Sequence, residues 1–136
     1  MIKQDQARIF FSYARLDGEQ AEKVFMALQT AGLKVYRDTD EILPAEDWRG
    51  RLEGLINKAD GVVFLMSPNS VLSEVCSWEV DLAIQANKRI VPLIIEDVAK
   101  TKTPPGIERL NYIFATPGHD FQAAIDLVYQ SCTTDI

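Results

Sequence analysis

Glu79 stands where a carboxylate is costly. In the stretch from Ser73 to Ala83, read as a helix, the polar residues Glu74, Ser77, Asp81, Gln85 and Lys88 recur at helical spacing and form one stripe. At about 100° per residue, Val75, Leu82 and Ala86 fall on the opposite side, and Glu79 falls among them. A charged group on a core-facing side destabilises unless something there uses it. Burial also raises a carboxylate's pKa toward the range of catalytic acids and bases. Two plainer arrangements compete with a functional one: the side chain snorkels out to solvent, or it pairs with a buried Arg. The other reactive residue types offer less. Cys76 lies off the polar stripe with no His placed to activate it, and reads as a buried small hydrophobe. The lone His119 follows Pro117-Gly118 and reads as a surface loop or helix-start residue, and one His with two isolated Cys leaves no zinc site.

The elements that must position Glu79 are legible from periodicity. Arg8 to Tyr13 is a short apolar run suited to a buried strand. Asp17 followed by Gln20 resembles a capping box, opening a helix whose face is Ala21, Val24, Phe25 and Leu28 and whose stop is Gly32. Leu33 to Tyr36 alternates as an edge strand does. Asp38 to Asp47 is an acidic loop interrupted by Pro44, and Trp48 opens a helical pattern carried by Leu52, Leu55, Ile56 and Ala59. Gly61 to Met66 is the central strand, ended by a turn at Ser67-Pro68-Asn69-Ser70, and Ser73 is an N-cap for the Glu79 helix. Arg89 to Ile95 is another continuous apolar run, although Pro92 argues for an edge strand or a bulge. Tyr112 to Phe114 is a brief last strand and Phe121 to Tyr129 a final amphipathic helix.

Strands that alternate with helices and read as near-continuous apolar runs imply an α/β fold with a parallel sheet covered on both faces. In such sheets ligands bind beyond the carboxyl ends of the strands. Those ends carry Phe11, Ser12 and Tyr13, then Arg37 and Asp38, then Ser67, and Glu79 lies in the first two turns of the helix that follows. The elements converge on one rim, with the loop bearing Trp48 as a wall. A carboxylate with hydroxyls and aromatic walls suits a sugar-bearing ligand better than a bare phosphate. No glycine-rich loop follows any strand, which counts against ordinary dinucleotide-binding and phosphoryl-transfer sites.

The chain of 136 residues reads as one domain (1–136), with a core from about 8 to 129 and a frayed tail at 133–136. A net charge of −6 without a Lys/Arg cluster argues against a nucleic-acid binder that works through phosphate contacts. The first residues do not form a signal peptide, no apolar run is long enough for a membrane span, and two cysteines without a secretory leader read as free thiols, all pointing to the cytoplasm.

The order of motifs resembles a TIR (Toll/interleukin-1 receptor) domain over nearly the whole chain, from Arg8 to about Tyr129. The matching residues are Phe10-Phe11-Ser12-Tyr13, Gly32 to Tyr36 leading to Asp38, the loop with Pro44 before Trp48, Ala59-Asp60, Leu65-Met66-Ser67-Pro68, Cys76 and Glu79 three residues apart, and Ile90-Val91-Pro92-Leu93-Ile94. The resemblance implies a flavodoxin-like three-layer fold: five parallel strands in the order 2-1-3-4-5, with helices on both faces and Pro92 as a family feature. Family members either scaffold other TIR domains or cleave NAD⁺ to nicotinamide and ADP-ribose or a cyclic isomer. Ser12-Tyr13-Ala14-Arg15 and Asp47-Trp48-Arg49 look closer to bacterial, NAD⁺-cleaving examples.

In that subgroup a Glu at the position of Glu79 is catalytic. By resemblance Phe11, Ser12, Tyr13 and Arg15 line the dinucleotide site, Asp38 lies near its edge, and Trp48 stacks on an aromatic ring or caps the pocket. NAD⁺ is then substrate, with no cofactor and no metal. The loop with Ile42, Leu43, Pro44 and Ala45 would mediate head-to-tail self-assembly with other TIR domains in immune or defence signalling, next to a sensor or oligomerising domain. The chain departs from the pattern at Val75, where enzymatic members often carry Trp, with Trp78 beside Glu79 instead, and at Ala45, usually Gly. It also lacks the Phe-Trp pair of receptor TIR domains near Tyr112 to Phe114. The rival reading is a non-enzymatic TIR-TIR interaction module. A nucleoside deoxyribosyltransferase of the wider flavodoxin-like class is a remote third.

Overall fold

The computed structural model describes residues 7–37, 48–98, 106, 107, 110 and 112–133, and only the backbone of residue 48. The expectations for Asp38, Ile42, Leu43, Pro44 and Ala45, for the Trp48 side chain and for the tail 134–136 lie outside the described residues.

Five strands form one sheet: β1 (Arg8–Ser12), β2 (Lys34–Tyr36), β3 (Gly61–Met66), β4 (Arg89–Ile94) and β5 (Ile113–Phe114). All neighbouring pairs are parallel, and the order is β2-β1-β3-β4-β5. The described helices are α1 (Gly18–Ala31), α2 (Trp48–Lys58), α3 (Pro68–Val71), α4 (Glu74–Gln85) and α5 (Phe121–Thr133), with a 3-10 turn at Arg15–Asp17. This is the expected flavodoxin-like arrangement, with α5 running four residues past Tyr129.

Successive residues of a strand point to opposite faces, and both faces here are covered. Ile9, Phe11, Val63, Leu65, Val91 and Leu93 pack with Ala21, Val24, Phe25 and Leu28 of α1 and Ala124, Ile125 and Val128 of α5. Phe10, Val62, Phe64, Met66, Ile90 and Ile94 pack with Leu52, Leu55 and Ile56 of α2 and Cys76, Val80 and Ala83 of α4. That two-sided burial is why β3 is apolar at every position.

Gly32 ends α1 at φ 111°, its N–H donating to the Gln29 carbonyl while the Leu33 N–H reaches back to Leu28. The left-handed turn sends the chain directly into β2. Asn87, at φ 57°, closes α4 in the same way, with Lys88 N–H donating to the Ala83 carbonyl.

Pro92 sits inside β4 without a bulge. Ile95 N–H donates to Met66 of β3, whereas the Ile94 carbonyl accepts from Ala115 on the β5 side. Even-numbered residues of β4 therefore face β5, and β5 pairing begins only at Leu93. The N–H that proline lacks would point past the end of β5, so no ladder bond is lost.

Candidate functional site

Ser12 and Glu79 meet at the carboxyl end of the sheet. Ser12 is the last residue of β1, on the face covered by α2 and α4, and is 1 % exposed. Glu79 is 2 % exposed. The Ser12 hydroxyl donates to Glu79 Oε1 at 2.6 Å, across 67 residues of sequence. The helix start makes this possible. Ser73 is the N-cap of α4, its side chain accepting from the Cys76 N–H at 3.2 Å, as its residue type implied. The buried face of α4 is then Cys76, Glu79, Val80 and Ala83.

The sequence periodicity placed Glu79 inward correctly, and Leu82 packs partly buried against the same core, but the main companions differ. Val75 is 40 % exposed, and Leu82 and Ala86 are half-buried. The sheet lies about one residue further round the helix than the polar stripe suggests, so Cys76 and Val80 occupy the core. Snorkelling is excluded by the burial of Glu79, and its Oε1 accepts from the Ser12 hydroxyl.

A second buried carboxylate lies at the same end of the sheet. Asp17 is 4 % exposed and precedes α1, but its backbone (φ −96°, ψ 17°) is not extended and its side chain makes no cap bond. The expected capping box is absent there. The carboxylate instead accepts a very short hydrogen bond from the Ser67 hydroxyl and another from Asn69 Nδ2 at 2.8 Å. The capping box occurs instead at α3, where the Ser67 hydroxyl accepts from Ser70 N–H and the Ser70 hydroxyl accepts from Ser67 N–H, with Pro68 in the first turn. The segment read as a plain turn is thus a short helix. Asp17 and Asn69 were missed as site neighbours because their pairing spans 52 residues, and no local pattern announces it.

Phe11 and Tyr13 point to the opposite face from Ser12. Phe11 is core on the α1–α5 side, and the Tyr13 ring packs on it with centroids 5.4 Å apart. Arg15 is exposed in the 3-10 turn. Arg37, leaving β2, bonds Glu22 at 2.8 Å and lies 3.6 Å over the Phe25 ring, so its charge is held by α1. Trp78 is half-buried against the α2–α4 core with the Arg49 guanidinium 5.7 Å from its ring. Cys76 is buried, as expected, and His119 is exposed, its Nδ1 2.8 Å from Thr116 Oγ1 and its ring stacked on Phe114. Among the described residues no three His, Cys, Asp or Glu side chains are grouped to hold a metal ion, and no helix is long and apolar enough to cross a membrane. A groove of about 410 Å³ runs between α1 and α5 past Met26, Asp126 and Tyr129, and shares no residue with the Ser12–Glu79 pair.

The family model described as TIR domain matches residues 9–128. The chain belongs to the TIR domain family. Solved structures agree at the level of fold. The TIR domain of a Toll-related receptor from Hydra magnipapillata superposes with a TM-score of 0.70 at 17 % identity, over 79 % of this chain and 82 % of that one. A TIR-STING receptor from C. gigas, in complex with 2′,3′-cGAMP, gives 0.78 at 22 % identity, over 100 % of this chain, which spans 42 % of the receptor. A CMP N-glycosidase from Clostridium botulinum gives 0.60 at 15 % identity, over 89 % of this chain and 98 % of that one. No curated protein matches this TIR domain in sequence.

Proposed function

We propose that this TIR domain cleaves NAD⁺ at the nicotinamide–ribose bond, releasing nicotinamide and leaving ADP-ribose or a cyclic isomer. The observation that carries the reading is the Glu79 carboxylate, buried at the carboxyl end of a parallel sheet and held there by the Ser12 hydroxyl. A carboxylate kept in such a place for stability alone is poorly explained, because an apolar pair of similar volume does as well or better. That another protein of this fold is an N-glycosidase supports the bond class.

The chemistry needs little else. The C1′–N bond breaks with its electron pair going to nicotinamide, which leaves neutral and requires no general acid. Positive charge develops on the ribose, as in glycoside hydrolysis. Glu79, out of bulk water, stabilises that charge where its field is least screened. Water then adds to C1′ and loses a proton to give ADP-ribose; attack by a group of the same molecule gives a cyclic product. Ser12 fixes the carboxylate rotamer, and contact with the ribose requires the site to open on binding. By the family resemblance alone, Arg15, exposed after β1, would contact the rest of the dinucleotide together with Asp38 and Trp48.

The same reading places the domain in the NAD⁺-cleaving, bacterial-type subgroup, acting in cytoplasmic immune or defence signalling. The loop containing Ile42, Leu43, Pro44 and Ala45 joins copies head to tail, and a sensor or oligomerising domain triggers assembly. Nicotinamide release by the wild type and by Glu79→Ala, at low and at very high protein concentration, tests both parts. Release that rises more than linearly with concentration and disappears in the variant is expected. Silence from the wild type, even when forced to oligomerise on beads, would move the function to a TIR-TIR scaffold.

A further inference from the structure

Asp17 and Glu79 are the two acidic residues buried among the described ones, and each is held by a serine from the end of a neighbouring strand. The bonds cross. The serine that closes β1 holds the carboxylate that follows β3, and the serine just past β3 holds the carboxylate that follows β1. The strands themselves are adjacent, with Ser12 level with Phe64 in β3.

We propose that Asp17 is a positioning residue of this site: by accepting from Ser67 and Asn69 it ties the turn after β1 to the turn after β3, and so sets the approach of Ser12 to Glu79. The inference rests on the glycohydrolase reading for its effect on rate, but not for its effect on the hydrogen bond.

Ser67 is the hinge of the connection. Its hydroxyl has one proton, given to Asp17, and a lone pair that accepts from the Ser70 N–H at 3.0 Å. That second bond starts α3, which leads through Leu72 to Ser73, the N-cap of α4. Holding Ser67 therefore holds the base from which α4 carries Glu79. At the other end, the Asp17 N–H donates to the Ala14 carbonyl at 2.9 Å, closing the turn two residues after Ser12. The positive end of the α1 dipole favours the Asp17 charge, which lets a carboxylate be buried there. A site of this kind needs its groups held to within a fraction of an ångström, by partners that do not themselves touch the ligand.

The test uses the full chain with Asp17→Asn, Asn69→Ala and, as reference, Ser12→Ala. Asp17→Asn keeps the shape but puts an NH₂ where Ser67 or Asn69 donates; Asn69→Ala removes one donor and is the milder change. A short O–H···O⁻ bond gives a downfield, slowly exchanging hydroxyl proton in the NMR spectrum. We expect that resonance for Ser12 in the wild type, its absence in Ser12→Ala, and its loss in Asp17→Asn while the helical and methyl signals stay folded. On the kinetic side, kcat falls on the order of tenfold or more in Asp17→Asn with KM for NAD⁺ little changed, and Asn69→Ala moves the same way by less. A folded Asp17→Asn that keeps the Ser12 resonance overturns the proposal, whatever its rate. Where Asp17→Asn does not fold, Asn69→Ala decides by the same resonance. A wild type that cleaves no NAD⁺ would sink the glycohydrolase reading alone, because the resonance still reports whether Asp17 governs the pair.

Discussion

Replacing Glu79 by Gln separates the two roles a buried carboxylate can have. Gln keeps the length and planar shape, and its Oε1 still accepts from the Ser12 hydroxyl now 2.6 Å away. What changes is the charge. The bond weakens from a charge-assisted one of about 1.5–3 kcal/mol to a neutral one of about 0.5–1.5 kcal/mol, a loss of about 1–1.5 kcal/mol. Against that, the desolvation penalty of a carboxylate 2 % exposed, several kcal/mol before its partners repay most of it, is relieved. The net expectation is a variant between equal in stability and about 2 kcal/mol more stable. With 136 residues and an unfolding entropy of about 2.1 cal/mol/K per residue, the slope is about 0.3 kcal/mol/K. Glu79→Gln then melts between the wild-type temperature and about 7 °C above it. Ser12→Ala does the opposite: it leaves the charge in place and removes its donor, costing about 1.5–3 kcal/mol, or about 5–10 °C. Thermal unfolding followed by circular dichroism at neutral pH reads both. A Glu79→Gln protein that melts as far below the wild type as Ser12→Ala would refute the reasoning, because the charge would then be part of the fold and not a strain held for chemistry.

Further outcomes follow from single residues. Gly32→Ala should lose about 1–2 kcal/mol, because at φ 111° the backbone disfavours a side chain while the added Cβ would meet only the Tyr129 ring at an ordinary 3.7 Å; an unchanged melting temperature would contradict this. Burial pushes the Cys132 thiol up from 9.0 to about 12, with Arg89 opposing the shift. Alkylation of Cys132 at pH 8 should therefore be slow in the folded protein and fast on unfolding, since the thiolate is the nucleophile. Because the folded pKa lies above the unfolded one, the associated stability is complete below pH 9.0 and is lost between 9.0 and about 12. Denaturation at pH 8 and pH 10 should show a larger loss for the wild type than for Cys132→Ala.

The sheet was readable because its strands are apolar at nearly every position and its helices carry one clean apolar face, as Ala21, Val24, Phe25 and Leu28 do. Pro92 misled only while the strand was considered alone; its side of the ladder is empty for a reason that lies in the length of β5. Glu79 could be found from periodicity because a charge out of phase with its own polar stripe is a local fact. The strand-end rule put Ser12 on the same rim, but the direct bond between the two could not be read from the sequence. Ser12 is simply the residue at which β1 ends, and only the sheet register brings it under α4. Asp17 shows the limit more sharply. An Asp before a helix has a local use, capping, and the sequence offers no reason to prefer a serine 50 residues away. Val75 falls opposite the polar stripe, yet the face that meets the core runs through Cys76, Glu79, Val80 and Ala83, about one position round the helix from it.

Nicotinamide release from NAD⁺ by the wild type and by Glu79→Gln, both shown to be folded and both at a concentration high enough to drive assembly, tests the central claim most directly. The carboxylate's role predicts release by the wild type and a fall on the order of 10²–10³-fold in the variant, the loss typical of removing one electrostatic stabiliser of a transition state. Equal release by the two proteins would contradict it.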